Sequence, residues 1–450
     1  MTEAGFGRLT DPPASFLLVG VRIVDPSDGT DEVGDLAVTD GRIVTGGEVP
    51  RAAERIDGQG LIAAPGLCDL HVHLRDPGDP AAETIASGTG AAARGGFTTV
   101  CAMPNTDPPI DNGEAVADIL DRSRDAVCRV RVIGAVTAER GGAALADLEA
   151  MAAAGAVGFS DDGASVPEAV VRGALERLRA LDLPLIEHAE DPSLAARGVM
   201  RAGPVAARLG LRPWTPAAEL AIVERDLARA EAGGARIHLT HLSSAESVEA
   251  VRRARARGVA VTCDVTPHHL ALTDRWVAGD RRFAWEEEAA PLAVNARAYD
   301  GSCRVNPPLT TRDHALALLD AVADGTVDAI ATDHAPHPAH RKLVPFDEAA
   351  PGLIGLESAL SLGLAAVEAG RLPLMALLAA LTTRPAAIIN EPRGLRAGSV
   401  ADLVVFDPSA WWRVDAATLA SASSNTPLLG LELPGVVRLT VSDGRLTYRA

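Results

Sequence analysis

The chain has 450 residues, 47% of them hydrophobic and 23% charged, enough apolar content to bury a large core, which excludes a disordered or fibrous protein. Acids outnumber bases by 60 to 42, and the formal charge of −18 repels nucleic acid and anionic membrane. Five cysteines, an odd number with no Cys-x-x-Cys, fit a reducing compartment better than a disulfide framework.

The first thirty residues carry no basic start followed by an apolar run, and no stretch reaches the length of a membrane span, so a cytoplasmic protein is expected. Residues 16–24, 35–38 and 42–45 are short β-branched runs divided by Asp-Pro and Asp-Gly turn signals. The far end repeats the style at 401–406, 436–441 and 446–448. Two β-rich ends around a different middle predict one small, discontinuous, β-sandwich-like domain from residues 1–64 and 391–450. Between 65 and 390, apolar strands alternate with alanine-rich helical stretches such as Pro167–Leu181, Pro216–Ala232 and Ala245–Arg257. Eight strands can be read, at Leu67–His73, Phe97–Met103, Arg129–Ala135, Ala156–Asp161, Pro184–His188, Arg236–His241, Val259–Val265 and Asp328–Asp333. Eight βα units in series predict a closed (β/α)8 barrel of the TIM type, with its chemistry at the C-terminal ends of the strands. No Gly-x-Gly-x-x-Gly follows a strand, which argues against a dinucleotide site.

The predicted strand ends concentrate metal-capable side chains. His71 and His73 close the first, Asp161 the fourth, His188 the fifth, His241 the sixth and Asp333 the eighth. A period of two places His71 and His73 on one side of their strand, as two ligands of one ion must be. Six such groups in a barrel mouth would each carry a desolvation cost without a cation to balance it. Imidazole and carboxylate donors without thiolate favour zinc, and six donors exceed the needs of one tetrahedral ion, so two ions sharing a carboxylate are expected. Alternation does not choose between Asp161 and Asp162 as the shared carboxylate; Asp161, nearer the strand end, is preferred. The chain's only lysine, Lys342, lies outside any predicted strand and cannot serve as a carbamylated bridge.

The remaining histidines read as follows. His238 falls on the opposite strand face and is expected to pack against a helix; His268 and His269 follow Pro267 in a loop, possible neighbours of the ligands; His314 and His340 are expected in solvent. The cysteines read as core filler.

Together these residues resemble the amidohydrolase superfamily, and within it dihydroorotases of the bacterial class I type. The matching stretches are Pro65-Gly-Leu-Cys-Asp-Leu-His-Val-His-Leu-Arg-Asp-Pro-Gly78, Ala102-Met-Pro-Asn-Thr106, Phe159-Ser-Asp-Asp-Gly163, Glu187-His-Ala-Glu190, Val265-Thr-Pro-His-His-Leu270, Val305-Asn-Pro-Pro-Leu309 and Ala331-Thr-Asp-His-Ala-Pro-His337. His-x-His alone marks the superfamily; Leu74-Arg75 with Met103-Pro-Asn105 is the more specific signal. The resemblance implies His71, His73, Asp161, His188, His241 and Asp333 as ligands of two zinc ions, with Asp161 bridging and Asp333 doubling as general acid and base. It implies that His73, Arg75, Asn105, Asn306, His337 and the main chain at Pro351 and Gly352 hold the substrate. The implied reaction interconverts N-carbamoyl-L-aspartate and L-dihydroorotate in pyrimidine synthesis, by a homo-oligomer able to associate with aspartate transcarbamoylase. Independently, a small anionic substrate approaching an acidic protein needs a local cation, and Arg75 offers a forked, two-point grip on a carboxylate. A hydantoinase or allantoinase would share the metals without that grip, and a non-catalytic scaffold subunit would have no reason to keep six ligands. The segment from Asp274 to Arg304 is longer than the family pattern and is expected to add a helix or a lid.

Overall fold

The computed structural model describes residues 5–45, 53–288 and 291–450; parts of the expected 1–64 unit and of the 274–304 segment therefore lie outside the described residues. Eight parallel strands follow one another around the sheet in chain order: β1 Leu67–Val72, β2 Phe97–Ala102, β3 Arg129–Gly134, β4 Ala156–Phe159, β5 Leu185–Glu187, β6 Ile237–Leu239, β7 Val261–Val265 and β8 Ala329–Ile330. A parallel bridge between Val72 and His334, with His73 N donating to His334 O at 2.9 Å, closes the ring into a barrel.

The helices outside the barrel form where the sequence supplies both a cap and an apolar stripe. In Glu168–Leu181, the buried Val171, Ala174, Leu175 and Leu178 recur at helical spacing, and Asp182 ends the helix in the left-handed conformation. Thr84, Asn112, Asp147 and Ser244 each accept a main-chain N–H from the first turn of the helix that follows. The barrel interior is filled by Cys68, Leu70, Cys101, Met103, Ile133, Ile186, Ala329 and Ala331, and plugged from below by Ala386, Ile388 and Ile389. All five cysteines are buried and unbridged, as core filler should be.

The two chain ends meet in a single nine-stranded sheet. Its strand Ile62–Pro65, from the N-terminal part, pairs antiparallel with the C-terminal Leu403–Arg413, with Phe406 opposite Ile62 and Leu403 opposite Pro65. One face holds its own core, including Leu18, Val38, Ala63, Leu403 and Val441, while Val404, Phe406 and Val437 join the core of the barrel. A cleft of about 590 Å³ between this sheet and the barrel floor is lined by Arg129, Arg131, Arg393, Glu391 and Asp402. Ion pairs of Arg129 with Asp402 and of Arg131 with Glu391 span that seam.

The strands stop earlier than the sequence pattern suggests. β4 ends at Phe159, β6 at Leu239 and β8 at Ile330, so the polar residues that follow leave the hydrogen-bonded ladder before they reach the barrel mouth. The long 274–304 segment contributes no α-helix among its described residues. It forms short 3-10 turns at Asp274–Ala278 and Gly301–Cys303, packed by the stacked rings of Trp276, Phe283 and Trp285.

Candidate metal centre and substrate site

A one-residue slip positions the first pair of histidines. Cys68 and Leu70 point into the barrel, and strict alternation would send His71 and His73 outward. Between the pairs Asp69↔Val100 and Val72↔Ala102, however, β1 carries one residue more than β2. This bulge reverses the parity, so Val72 joins the outer core while His71 and His73 face the mouth. The buried Asp69 carboxylate secures the bulge, accepting from His71 N at 3.0 Å and from the Thr332 main chain and hydroxyl at 3.0 and 2.5 Å.

Asp162 stands at the centre of the cluster. Its carboxylate lies 3.4 Å from His71 Nε2, 3.5 Å from His73 Nε2, 3.4 Å from His188 Nδ1 and 3.7 Å from His241 Nε2. Two sets of three donors, His71/His73/Asp162 and Asp162/His188/His241, each fall within 4.8 Å of one another and share this one carboxylate. Asp333 completes the group at 3.0 Å from His73 Nε2 and 3.5 Å from His71 Nε2. His71 Nε2 is buried without a hydrogen-bond partner, as expected of a nitrogen kept for a cation.

The preference for Asp161 as the shared carboxylate is corrected. Its oxygens accept from Val136 N at 2.9 Å, Thr137 N at 3.1 Å and Thr137 Oγ1 at 2.5 Å, which turns it toward the loop after β3. Because β4 ends at Phe159, strand alternation no longer sets the direction of residues 161 and 162.

The electrostatics agree with a cation site. Burial alone would raise the carboxyls of Asp162 and Asp333, but the surrounding imidazoles, His71 foremost, hold both below the ordinary carboxylate range. The chain by itself balances these acids with imidazolium protons; a divalent cation balances them with its own charge. His241 and Asp333 adopt left-handed backbone at φ 40° and 47°, and Arg75 does so at 54°. Such strain in non-glycine residues gathers at functional sites.

Behind the ligands lies a relay that the sequence reading missed. His71 Nδ1 meets Thr240 Oγ1 at 2.9 Å, and Thr240 donates to Asp264 Oδ2 at 3.0 Å. Asp264 also accepts from the His241 main chain at 2.6 Å and pairs with His238 Nε2 at 2.8 Å. His238 therefore packs against β7 rather than a helix, and the relay fixes the ring orientation of His71. Polar residues at 238, 240 and 264, alternating on adjacent apolar strands, were the available signal. His268 and His269 sit on a short buried helix, Pro267–Ala271, not in a loop. His269 bonds Thr266 and the Pro307 carbonyl, while neither ring nitrogen of His268 has a hydrogen-bond partner among the described residues. His314 is not solvated either: its Nδ1 accepts from Ala245 N at 3.1 Å, whereas His340 is exposed.

On the other side of His73 the candidate substrate residues assemble. His73 Nδ1 meets Asn105 Oδ1 at 2.8 Å, and Asn105 Nδ2 donates to Asp162 Oδ2 at 3.1 Å. Arg75, Asn105 and Arg341 line a cavity of about 370 Å³. Arg75 donates no hydrogen bond to the described residues, leaving its fork for a ligand. Asn306 Nδ2 reaches His188 Nε2 at 3.5 Å. His337 Nε2 meets the Pro351 carbonyl at 2.9 Å, and burial with nearby Arg75 lowers its pKa to about 3, so the ring is neutral. Its Nδ1 is buried and unpartnered, ready to accept a hydrogen bond. The Gly352 N–H, by contrast, is already given to Arg304 O at 2.8 Å.

Known proteins are similar to this chain over nearly its whole length. The family model described as Dihydro-orotase-like matches residues 60–247. A dihydroorotase of Geobacter metallireducens is 42% identical over 443 residues, 97% of this chain and 100% of the relative. The chain belongs to the dihydroorotase family. Another member, from Anaeromyxobacter dehalogenans, is 43% identical over 439 residues, 96% of this chain and 98% of the relative. Among solved structures, an L-hydantoinase (dihydropyrimidinase) from Arthrobacter aurescens superposes with a TM-score of 0.82 over 96% of both chains. At 24% identity that likeness establishes this chain's fold, a barrel with a sheet from its termini, and nothing finer.

Proposed function

We propose that the chain interconverts N-carbamoyl-L-aspartate and L-dihydroorotate as a zinc-dependent cytoplasmic enzyme of pyrimidine synthesis. One observation carries this reading: five imidazole and carboxylate side chains, His71, His73, His188, His241 and Asp333, cluster around Asp162 beside Arg75, which donates no hydrogen bond to the described residues. The donor set fits divalent ions: His71, His73, Asp162 and Asp333 would hold one, and Asp162, His188 and His241 a second. When bound, such ions supply an activated water and polarise the scissile carbonyl.

The chain's own groups do the rest. Arg75 grips the substrate carboxylate through two parallel N–H donors, with Asn105 and Asn306 beside it. The neutral His337 accepts from a ring N–H at Nδ1 and holds the Pro351 carbonyl with Nε2. Asp333 takes the proton of the attacking water and delivers it to the departing ring nitrogen; in ring closure it takes the proton from the carbamoyl nitrogen as the C–N bond forms and gives it to the hydroxide that leaves the same carbon, releasing water. A homo-oligomer, and docking to the transcarbamoylase that makes the substrate, belong to the same proposal, which sedimentation of the two enzymes together tests.

The deciding experiment compares ring opening of dihydroorotate, hydantoin and allantoin by the zinc-loaded chain. Preference for dihydroorotate is expected; preference for an uncharged ring would overturn the reading.

A further inference from the structure

We propose that Lys342 is a positioning residue for substrate binding: its ammonium group ties the main chain ahead of Asn306 to the Ala350–Gly352 turn, and so sets the places of Asn306, His337 and the Pro351 carbonyl around the ring. The inference rests on the dihydroorotase reading above.

Lys342 closes a short helix, Ala339–Lys342, and its side chain is buried. Nζ donates to Arg304 O at 3.2 Å, Ala350 O at 2.6 Å and Gly352 O at 2.8 Å. An ammonium group has three donors and no acceptor, so all three are spent on main-chain carbonyls and none on a carboxylate. A neutral amine has two N–H groups and would leave one carbonyl of this buried set unpaired, at a cost. The composition points the same way. Every other fixed side-chain cation in the sequence is an arginine, and lysine is kept for this one place. A planar guanidinium suits forked carboxylates; a compact tetrahedral head suits three converging carbonyls.

The groups so tied lead directly to the site. Arg304 lies two residues before Asn306, and its carbonyl also accepts from Gly352 N. The Gly352 carbonyl accepts a second bond from Asn425 Nδ2 at 3.2 Å, and Asn425 Oδ1 accepts from His337 N at 3.0 Å. Gly352 itself has φ 128°, and a Cβ there would come within 2.5 Å of the Ala335 side chain, so the turn has little freedom of its own. Through Pro351 it presents the carbonyl that orients His337, which is how a buried ammonium group can govern a ring nitrogen that it does not touch.

The charged and titratable groups facing Lys342 are Arg304, Cys303 and Asp300 on the 300–304 turn and His337 on the loop after β8. Burial and Arg304 lower the Lys342 pKa to about 7, so the clamp loosens as the pH rises above neutrality.

The test uses the full-length, zinc-loaded chain. Lys342→Met is expected to raise KM for dihydroorotate at least tenfold at pH 7, with kcat changed less than threefold and zinc content unchanged. For the wild type, KM is expected to climb between pH 7 and 9. Lys342→Arg keeps its charge throughout, and its KM is expected to be raised but flat over that range; taking the ratio to wild type removes titrations common to both. Unchanged KM in Lys342→Met, or parallel KM profiles in wild type and Lys342→Arg, would overturn the proposal. Should Lys342→Met not fold, the Lys342→Arg profile decides alone. If the wild type opens a neutral cyclic amide and not dihydroorotate, the functional reading fails, and the same KM comparison on that amide tests the clamp separately.

Discussion

Asp161 and Asp162, joined by one peptide bond, turn their carboxylates to different tasks. Asp161 accepts the main-chain N–H groups of Val136 and Thr137, whereas Asp162 lies between four imidazoles at 3.4–3.7 Å. If Asp162 holds the ions as proposed, Asp162→Asn is expected to bind less zinc than the wild type and to lose most of its turnover. Asp161→Asn is expected to keep the zinc and to lose roughly 1–3 kcal/mol of stability through weakened buried hydrogen bonds. Zinc analysis and urea unfolding of both variants check this, and zinc loss confined to Asp161→Asn would reverse the assignment.

Asp333 touches both first-strand histidines, with 3.0 Å to His73 and 3.5 Å to His71. If Asp333 carries the proton as proposed, Asp333→Asn should lower turnover by about 10²–10⁴-fold in ring opening and ring closure alike. Rates measured in both directions test the role; near-normal turnover in either would refute it.

Arg75 lines the cavity beside Asn105 and donates no hydrogen bond to the described residues. Arg75→Lys retains the charge and loses the two-point geometry, so KM for dihydroorotate should rise about 10–100-fold, the worth of a charge-assisted hydrogen bond. Neutral cyclic amides should be turned over no worse than before. Steady-state kinetics on dihydroorotate and hydantoin separate these outcomes, and equal losses on both substrates would count against the grip.

Asp264 joins His238, Thr240 and the His241 main chain behind the metal centre. Asp264→Asn should weaken zinc affinity about 10–100-fold by freeing the ring of His71, while the six donors themselves stay in place. Competition with a chelator measures it; unaltered affinity would reduce the relay to packing.

Most of the barrel was legible because buried parallel strands and amphipathic helices write different periods into the sequence, as Ala156–Phe159 and Glu168–Leu181 show. The ladder's end was not. Periodicity carries direction only while the hydrogen bonds continue, and the residues that matter most, 161, 162, 241 and 333, lie just past them. The His71-x-His73 pair was read correctly as facing one way, but the bulge that aims it inward depends on pairing with β2, which no single strand reveals. Lys342 stood out by its rarity, yet its partners are main-chain carbonyls, and those leave no trace in residue types.

The strand Ile62–Pro65 runs almost without interruption into β1, and its antiparallel neighbour, Leu403–Arg413, lies more than three hundred residues further along the chain. During synthesis, then, the segment that carries the first two histidines leaves the ribosome with one edge bare, and waits for nearly the whole polypeptide before that edge is covered. The sheet beside the first two histidines is thus completed by a strand made only after all eight strands of the barrel.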